Sequence, residues 1–136
     1  MISSEVAGRM LDAIRAGAAS RELNVAMCVV DAVGDLIVFE RMDRVGRLSI
    51  ELSQRKAYTA AMLKMPTADL KPLVEPGGAL YGLTHLNGGQ FISFGGGLPL
   101  TDAGQLAGAV GVSGASSQVD AELASLAVEL FEFEAA

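Results

Sequence analysis

A length of 136 residues is close to the usual size of a single domain, and we predict one domain over residues 1–136. The net charge of −6 and the scattered placement of ten Lys and Arg residues argue against a nucleic-acid partner, because a phosphate backbone requires clustered cations. The chain has no apolar run near the roughly 18 residues of a membrane span and no signal-type start, so we expect a cytoplasmic protein that does not contact a membrane. One cysteine and one histidine provide no Cys/His set for zinc, and no metal site is predicted.

The first half of the chain contains patterns typical of two helices and a hairpin. Apolar residues at helical spacing predict a helix over residues 4–17. Two strand-like runs, Val25 to Val30 and Leu36 to Arg41, are separated by a short turn and predict an antiparallel hairpin. Residues Leu48 to Lys64 predict a long helix with a face of small residues, and Pro66 ends it.

The second half is richer in glycine and proline. We predict a short helix from Thr67 to Val74, followed by a long ordered loop to Gly89. Residues 91–115 then set two glycine-dense strands around a turn at 101–104, and a final helix opens at Ser117. The run from Leu106 to Val112 is apolar at every position, as in a strand covered on both faces. The pattern therefore predicts one antiparallel sheet with helices on both faces.

Glycine weakens the interior of a strand. Several glycines in the strands of the second half therefore indicate positions where a Cβ would block a close approach or where the backbone is unusual. We expect Gly108 and Gly111 to face a packed helix. Gly95, Gly96 and Gly97 lack the Lys-Ser/Thr of a phosphate-binding loop. Two interpretations stay open for them: a pocket floor whose N–H groups bind an anion, or a tight turn between packed strands.

Five ordered blocks resemble the GlcG/HbpS-like family, which includes the C-terminal domain of PduO-type cobalamin adenosyltransferases. They are residues 28–36, 41–43, 53–60, 96–100 and 108–114. The resemblance spans roughly residues 5–132 and implies an α/β (α+β) three-layer sandwich with a profilin-like layout, usually assembled into dimers or larger rings. It also implies links to haem binding and to degradation of small organic molecules, although a fold fixes activity poorly.

Two positions depart from the family. Relatives often carry proline immediately before the Gly-Gly-hydrophobe-Pro block, and this chain has Gly95 there. Glycine makes the loop more flexible or lets another group approach its backbone more closely. Haem-binding relatives are described as using a histidine near the first helix, and residues 1–24 contain none. A haem iron would then be held by His85 or by a group from a neighbouring subunit.

His85, Tyr81 and Lys56 are the candidate catalytic residues. His85 is the one imidazole and can ligate iron or act as an acid or base near neutral pH, unless it is a surface or packing histidine. Tyr81 precedes it by four residues on the same loop and can offer its hydroxyl to a substrate. Lys56 is placed on the polar flank of the long helix, where it is either a carboxylate-binding residue and base or a solvated helix lysine.

Arg41, Asp43 and the glycines 95–97 are the candidate ligand-binding residues. Arg41 and Asp43 close the hairpin, and the guanidinium either clasps an anionic ligand or forms a structural salt bridge. If the connection 42–47 folds Arg41 and Lys56 toward one cleft, the glycine backbone could close its floor beneath His85 and Tyr81.

Three functions are consistent with these residues. The first is a binding module for a small molecule, with haem or another tetrapyrrole as the possible cofactor that the resemblance implies. The second is a cofactor-independent enzyme that acts on a small oxygenated organic acid, and the third is a structural subunit with a degenerate site. Large apolar residues near helix ends further predict a homo-oligomer built from dimers: Met62, Leu63, Met65, Phe131 and Phe133.

Overall fold

Four antiparallel strands form one sheet that lies between α-helices. The computed structural model describes residues 1–135. The elements in chain order are α1 (Ser4–Ser20), β1 (Ala26–Asp31), β2 (Leu36–Arg41), α2 (Arg47–Leu63), α3 (Thr67–Val74), β3 (Gly97–Asp102), β4 (Gln105–Ser113) and α4 (Ser117–Ala135). Two 3₁₀ turns, Leu83–His85 and Asn87–Gly89, lie between α3 and β3.

The strands are arranged in the order β2-β1-β4-β3, and every neighbouring pair is antiparallel. One row across the sheet joins Phe39, Cys28, Gly111 and Gly97, so the central strands β1 and β4 are paired on both sides. The predicted antiparallel sheet is confirmed, and the hairpin strand β2 has the predicted bounds. Strand β2 lies at one edge of the sheet and β3 at the other.

The two faces of the sheet are packed differently. Helices α1 and α4 cover one face, where larger apolar side chains of the helices (Met10, Ile14 and Leu123) pack against Met27 and Val110 of the strands. Helix α2 covers the other face, where Ala57, Ala60 and Ala61 of the helix pack against Cys28 and Ala109 of the strands. The expectation of helices on both faces is therefore confirmed, and the small residues let α2 pack closely on the sheet.

Gly111 lies at the closest approach of α2 to the sheet. A Cβ on Gly111 would overlap the Ser53 carbonyl oxygen and would lie 2.8 Å from the Ala57 nitrogen. The prediction that Gly111 faces a packed helix is confirmed. For Gly108 it is wrong, because the groups that a Cβ would meet there, the Val30 carbonyl and the Ile2 side chain, belong to the neighbouring strand and to the segment before α1.

The helix predictions hold with small differences at the ends. Helix α3 has the predicted bounds, and α2 is shifted by one residue at each end. Helix α1 continues to Ser20, one turn beyond the predicted end, because Ala18 is still buried against the core.

None of the helices within residues 1–135 is long and apolar enough to cross a membrane.

Replacement of Gly111 by Ala should destabilise the fold by about 1–3 kcal/mol, because the new methyl group would push α2 away from the sheet. Urea unfolding followed by circular dichroism measures the change. Gly8→Ala is the matched control, since Gly8 lies in helix α1, where a new Cβ would have no atom within 4 Å and alanine is the better helix former. Equal stability of the two variants would show that α2 does not constrain position 111.

Candidate functional site

The segment between α3 and β3 is ordered because it is bonded to helix α2. The Arg55 guanidinium donates a hydrogen bond to the Gly89 carbonyl oxygen at 3.0 Å. The Thr59 hydroxyl accepts one from the Ile92 backbone N–H, also at 3.0 Å. The long loop expected from the sequence is therefore a fixed surface layer over α2.

Tyr58 makes a second set of contacts between α2 and this segment. Its hydroxyl accepts a hydrogen bond from the Asn87 side-chain amide at 2.5 Å. Its ring stacks on that of Phe91, with centroids 6.0 Å apart and planes inclined by 24°. These contacts hold the chain directly after His85.

Tyr81 and His85 are both exposed residues of this segment. The His85 backbone N–H donates to the Gly82 carbonyl, and Gly82 takes the positive φ of 91° that this turn requires. His85 is exposed, Tyr81 is 67% exposed, and the neighbouring Leu86 is 61% exposed. The segment therefore exposes an imidazole and two large apolar side chains within six residues of the chain.

Lys56 does not lie on the polar flank of α2, and that part of the sequence prediction is wrong. It is 1% exposed and points between the sheet and α4. Its ammonium group donates to the Val112 carbonyl oxygen at 3.0 Å and to Asp120 Oδ2 at 3.1 Å. The carboxylate that Lys56 binds belongs to the protein itself.

Asp120 is the partner that the sequence did not reveal. It lies in the first turn of α4, where an acidic residue usually caps the helix. Here one carboxylate oxygen accepts a hydrogen bond from Lys56, and the other accepts one from the Ala115 backbone N–H at 2.9 Å. Desolvation lowers the pKa of Lys56 and raises the pKa of Asp120, and the opposite charge of the partner counteracts each shift. The structure thus gives Lys56 a positioning role within the protein.

The three glycines 95–97 accommodate close contacts with this ion pair and its surroundings. A Cβ on Gly96, which has φ 134°, would lie 2.7 Å from the Lys56 ammonium, and one on Gly95 would lie 2.7 Å from a carbonyl oxygen at the start of α4. The Gly97 N–H donates to the Thr67 hydroxyl at 3.0 Å. All three glycines are buried. Of the two open interpretations, these contacts support the tight turn, and the predicted close approach comes from the chain's own atoms.

Phe94 is a site residue that sequence reasoning missed. Its ring centroid lies 5.3 Å from the Lys56 ammonium, yet the residue is 41% exposed. A cleft of about 570 Å³ begins at the next residue, Gly95, and runs along Leu98 and Ala121. No local pattern marks Phe94, because its position depends on a lysine 38 residues earlier in the chain.

Arg41 and Asp43 lie away from these residues. Arg41 ends the edge strand β2, two strand spacings or about 10 Å from Ser113 of β4 in the paired rows, and its side chain is exposed whereas Lys56 is buried between the sheet and α4. Both side chains are exposed, and within residues 1–135 no ion pair joins them. The connection after β2 is instead fixed by Met42, whose sulfur accepts the Val25 N–H at 3.5 Å. The structure does not gather Arg41 and Lys56 into one cleft.

Residues 2–129 match a protein-family model described as "Haem degrading protein HbpS-like". A 15.0 kDa protein from the dhaT-dhaS intergenic region of Citrobacter freundii is 38% identical over 130 residues, which are 96% of this chain and 92% of that protein.

Two solved structures are similar over nearly their whole length. The Klebsiella pneumoniae protein ORFY is 37% identical with a TM-score of 0.94, over 96% of this chain and 90% of that one. The second structure is a complex of PduOC with haem, 35% identical with a TM-score of 0.91, over 95% of this chain and 94% of that one.

Replacement of Lys56 by Met should destabilise the protein by about 3–5 kcal/mol at neutral pH, because it leaves the Asp120 carboxylate buried without its counter-charge. The double variant Lys56→Met/Asp120→Asn should recover part of this loss, since both charges are removed. Chemical unfolding of both variants measures the coupling.

Arg15→Met is the control for this pair, because it breaks an exposed ion pair with Glu40 and should change stability far less. A Lys56→Met variant as stable as the Arg15→Met variant would contradict the structural importance of the buried pair.

Proposed function

This chain belongs to the HbpS-like family, and we propose that it is a cytoplasmic protein that binds a tetrapyrrole, with haem as the ligand and His85 as the protein ligand to its iron. The observation that carries the proposal is the ordered turn that exposes His85 beside Tyr81 and Leu86. A neutral imidazole is a common iron ligand, and apolar side chains suit the faces of a porphyrin.

The residues at this turn are suited to haem, because they offer an imidazole on a held backbone together with apolar side chains. The loop is tied to α2 by the hydrogen bonds of Arg55, Tyr58 and Thr59, so the imidazole is presented from a fixed backbone. Leu80 adds a further exposed apolar side chain next to Tyr81. Haem would supply an iron centre, while the protein chain would supply one nitrogen donor and apolar contact area.

The similarity to the PduOC chain that was solved with haem supports the same ligand class. The interaction of that protein with haem is its own property, and its transfer to this chain is part of the proposal. The similar fold supports the proposal, while the side chains that would meet the ligand are particular to this sequence.

The arrangement favours binding over cofactor-independent acid–base catalysis. The Lys56 ammonium is already bonded to Asp120 and the Val112 carbonyl, and Arg41 lies at the far edge of the sheet. Tyr81 and His85 remain on one loop, and the guanidinium that contacts this loop, that of Arg55, is already bonded to Glu51 and to the Gly89 carbonyl, so it does not serve as a free anchor for an organic acid.

Titration of the purified protein with ferric haem should produce a shifted Soret band that saturates at a fixed stoichiometry. His85→Ala should weaken binding or change the position of the band, because the iron loses its imidazole, and added free imidazole should restore the wild-type spectrum. Thr84→Ala is the matched control on the same turn and should bind as the wild type does.

Two results would contradict this proposal. Absence of any Soret shift in the wild-type protein would remove haem as the ligand and leave the structural-subunit alternative. A His85→Ala spectrum identical to that of the wild type would remove His85 as the iron ligand.

We also propose a homo-oligomer built from dimers. Phe131 is buried in the protein's own core and does not contribute to this argument, whereas Phe133 on the same helix is 82% exposed. Other large apolar side chains exposed at the surface are Leu36, Leu48, Leu80, Leu86 and Phe94. Contact between copies would remove much of this apolar surface from water.

Sedimentation velocity at micromolar concentration should show a dimer or a multiple of it. Dissociation to monomers is expected only on strong dilution, since burial of apolar area favours association. A single monomeric species at micromolar concentration would refute the proposed assembly.

A further inference from the structure

Phe94 is an exposed aromatic residue with a fixed position. One side of the ring faces the Lys56 ammonium at 5.3 Å from the ring centroid, while 41% of the residue remains exposed to solvent. Lys56 is itself held by Asp120 and by the Val112 carbonyl, so the cation beneath the ring cannot move independently of the fold. A ring over a desolvated cation is attracted to it more strongly than a ring over a solvated one.

The backbone after Phe94 adds to this rigidity. A Cβ on Gly95 or Gly96 would collide with α4 or with Lys56, and the Gly96 carbonyl accepts the Val112 N–H at 2.9 Å. The chain directly after Phe94 is therefore pinned between β4 and α4. An aromatic ring that is already ordered loses little conformational entropy when a ligand covers it.

The surface next to Phe94 has room for a flat molecule. The cleft of about 570 Å³ starts at Gly95. Its lining combines the small or apolar residues Ala68, Leu98 and Ala121 with the polar residues Ser117, Gln118, Glu122 and Ser125 of α4. Small residues in the floor let a planar ligand approach closely, and an aromatic ring at the mouth offers it a stacking surface.

We propose that Phe94 is the stacking residue for the tetrapyrrole, with the face of the macrocycle on its exposed side and an edge over the cleft that begins at Gly95. This inference rests on the proposed function, since it names the aromatic contact of the same ligand. Lys56 and Asp120 act on the ligand only through Phe94, and they are positioning residues.

The test compares ligand affinity in variants that keep or remove the ring. Binding of ferric haem and of iron-free protoporphyrin IX is measured for the wild type and for Phe94→Trp, Phe94→Leu and Phe94→Ala. Phe94→Ala should weaken both ligands roughly tenfold or more, because the apolar contact area is lost. Phe94→Leu should weaken them about 2- to 10-fold, and Phe94→Trp should bind like the wild type.

The Soret position of bound haem should be the same in all three variants, because stacking does not change the iron ligand. Phe133→Ala removes another exposed phenylalanine, at the far end of α4, and should leave affinity unchanged. Thermal unfolding of the ligand-free variants identifies any that lose affinity because they lose the fold. Among the folded variants, the difference in affinity between Phe94→Trp and Phe94→Leu shows whether an aromatic ring at position 94 is needed.

The outcomes separate this inference from the proposed function. If Phe94→Leu and Phe94→Ala bind haem as tightly as the wild type does, the stacking role of Phe94 is wrong and the proposed function stands. If Phe94→Leu dissociates an oligomer but binds both tetrapyrroles normally, Phe94 is an interface residue and the inference is wrong. A wild-type protein that binds neither tetrapyrrole would overturn the proposed function and the stacking role together.

Discussion

The buried ion pair between Lys56 and Asp120 ties the two helical layers of the protein together. It connects α2 on one side of the sheet with α4 on the other, at the end of β4, and it is nearly inaccessible to water. Such a pair gains little net stability, because desolvation of both charges offsets their attraction. Its effect is to fix position: either charge left alone would be far more costly, so the two helices can adopt only arrangements that keep the groups in contact.

Close packing around this pair explains the glycine-rich sequence. The ammonium is covered by the turn that leads into β3, where Gly96 must be without a side chain to leave it space. Gly111 leaves space in the same way for the backbone of α2 farther along the sheet. The glycines thus serve the internal contacts of the fold, and the surface that they produce is rigid. Phe94 is exposed on that surface, and its ring is positioned by contact with the buried Lys56 ammonium.

The turn with His85 is constructed differently. It lies outside the three layers and is held to α2 by polar contacts through Tyr58 and Thr59. Binding groups on such a loop can change while the scaffold is retained. The proposed function assigns the imidazole to this hydrogen-bonded loop, and the further proposal assigns apolar contact to the ring of Phe94.

Local periodicity in the chain was enough to predict the elements and the layered fold: the apolar strand β4, the hairpin that ends at Arg41, and the short helix after Pro66. It also placed Tyr81 and His85 on one loop, since they are four residues apart. The burial of Lys56 against Asp120, which lies 64 residues later, and the place of Arg41 at the far edge of the sheet became evident only in three dimensions. Contacts between distant segments leave no periodic trace in the chain, and a lysine on a helix is usually solvated. The burial of Lys56 follows from the carboxylate that the fold brings to it.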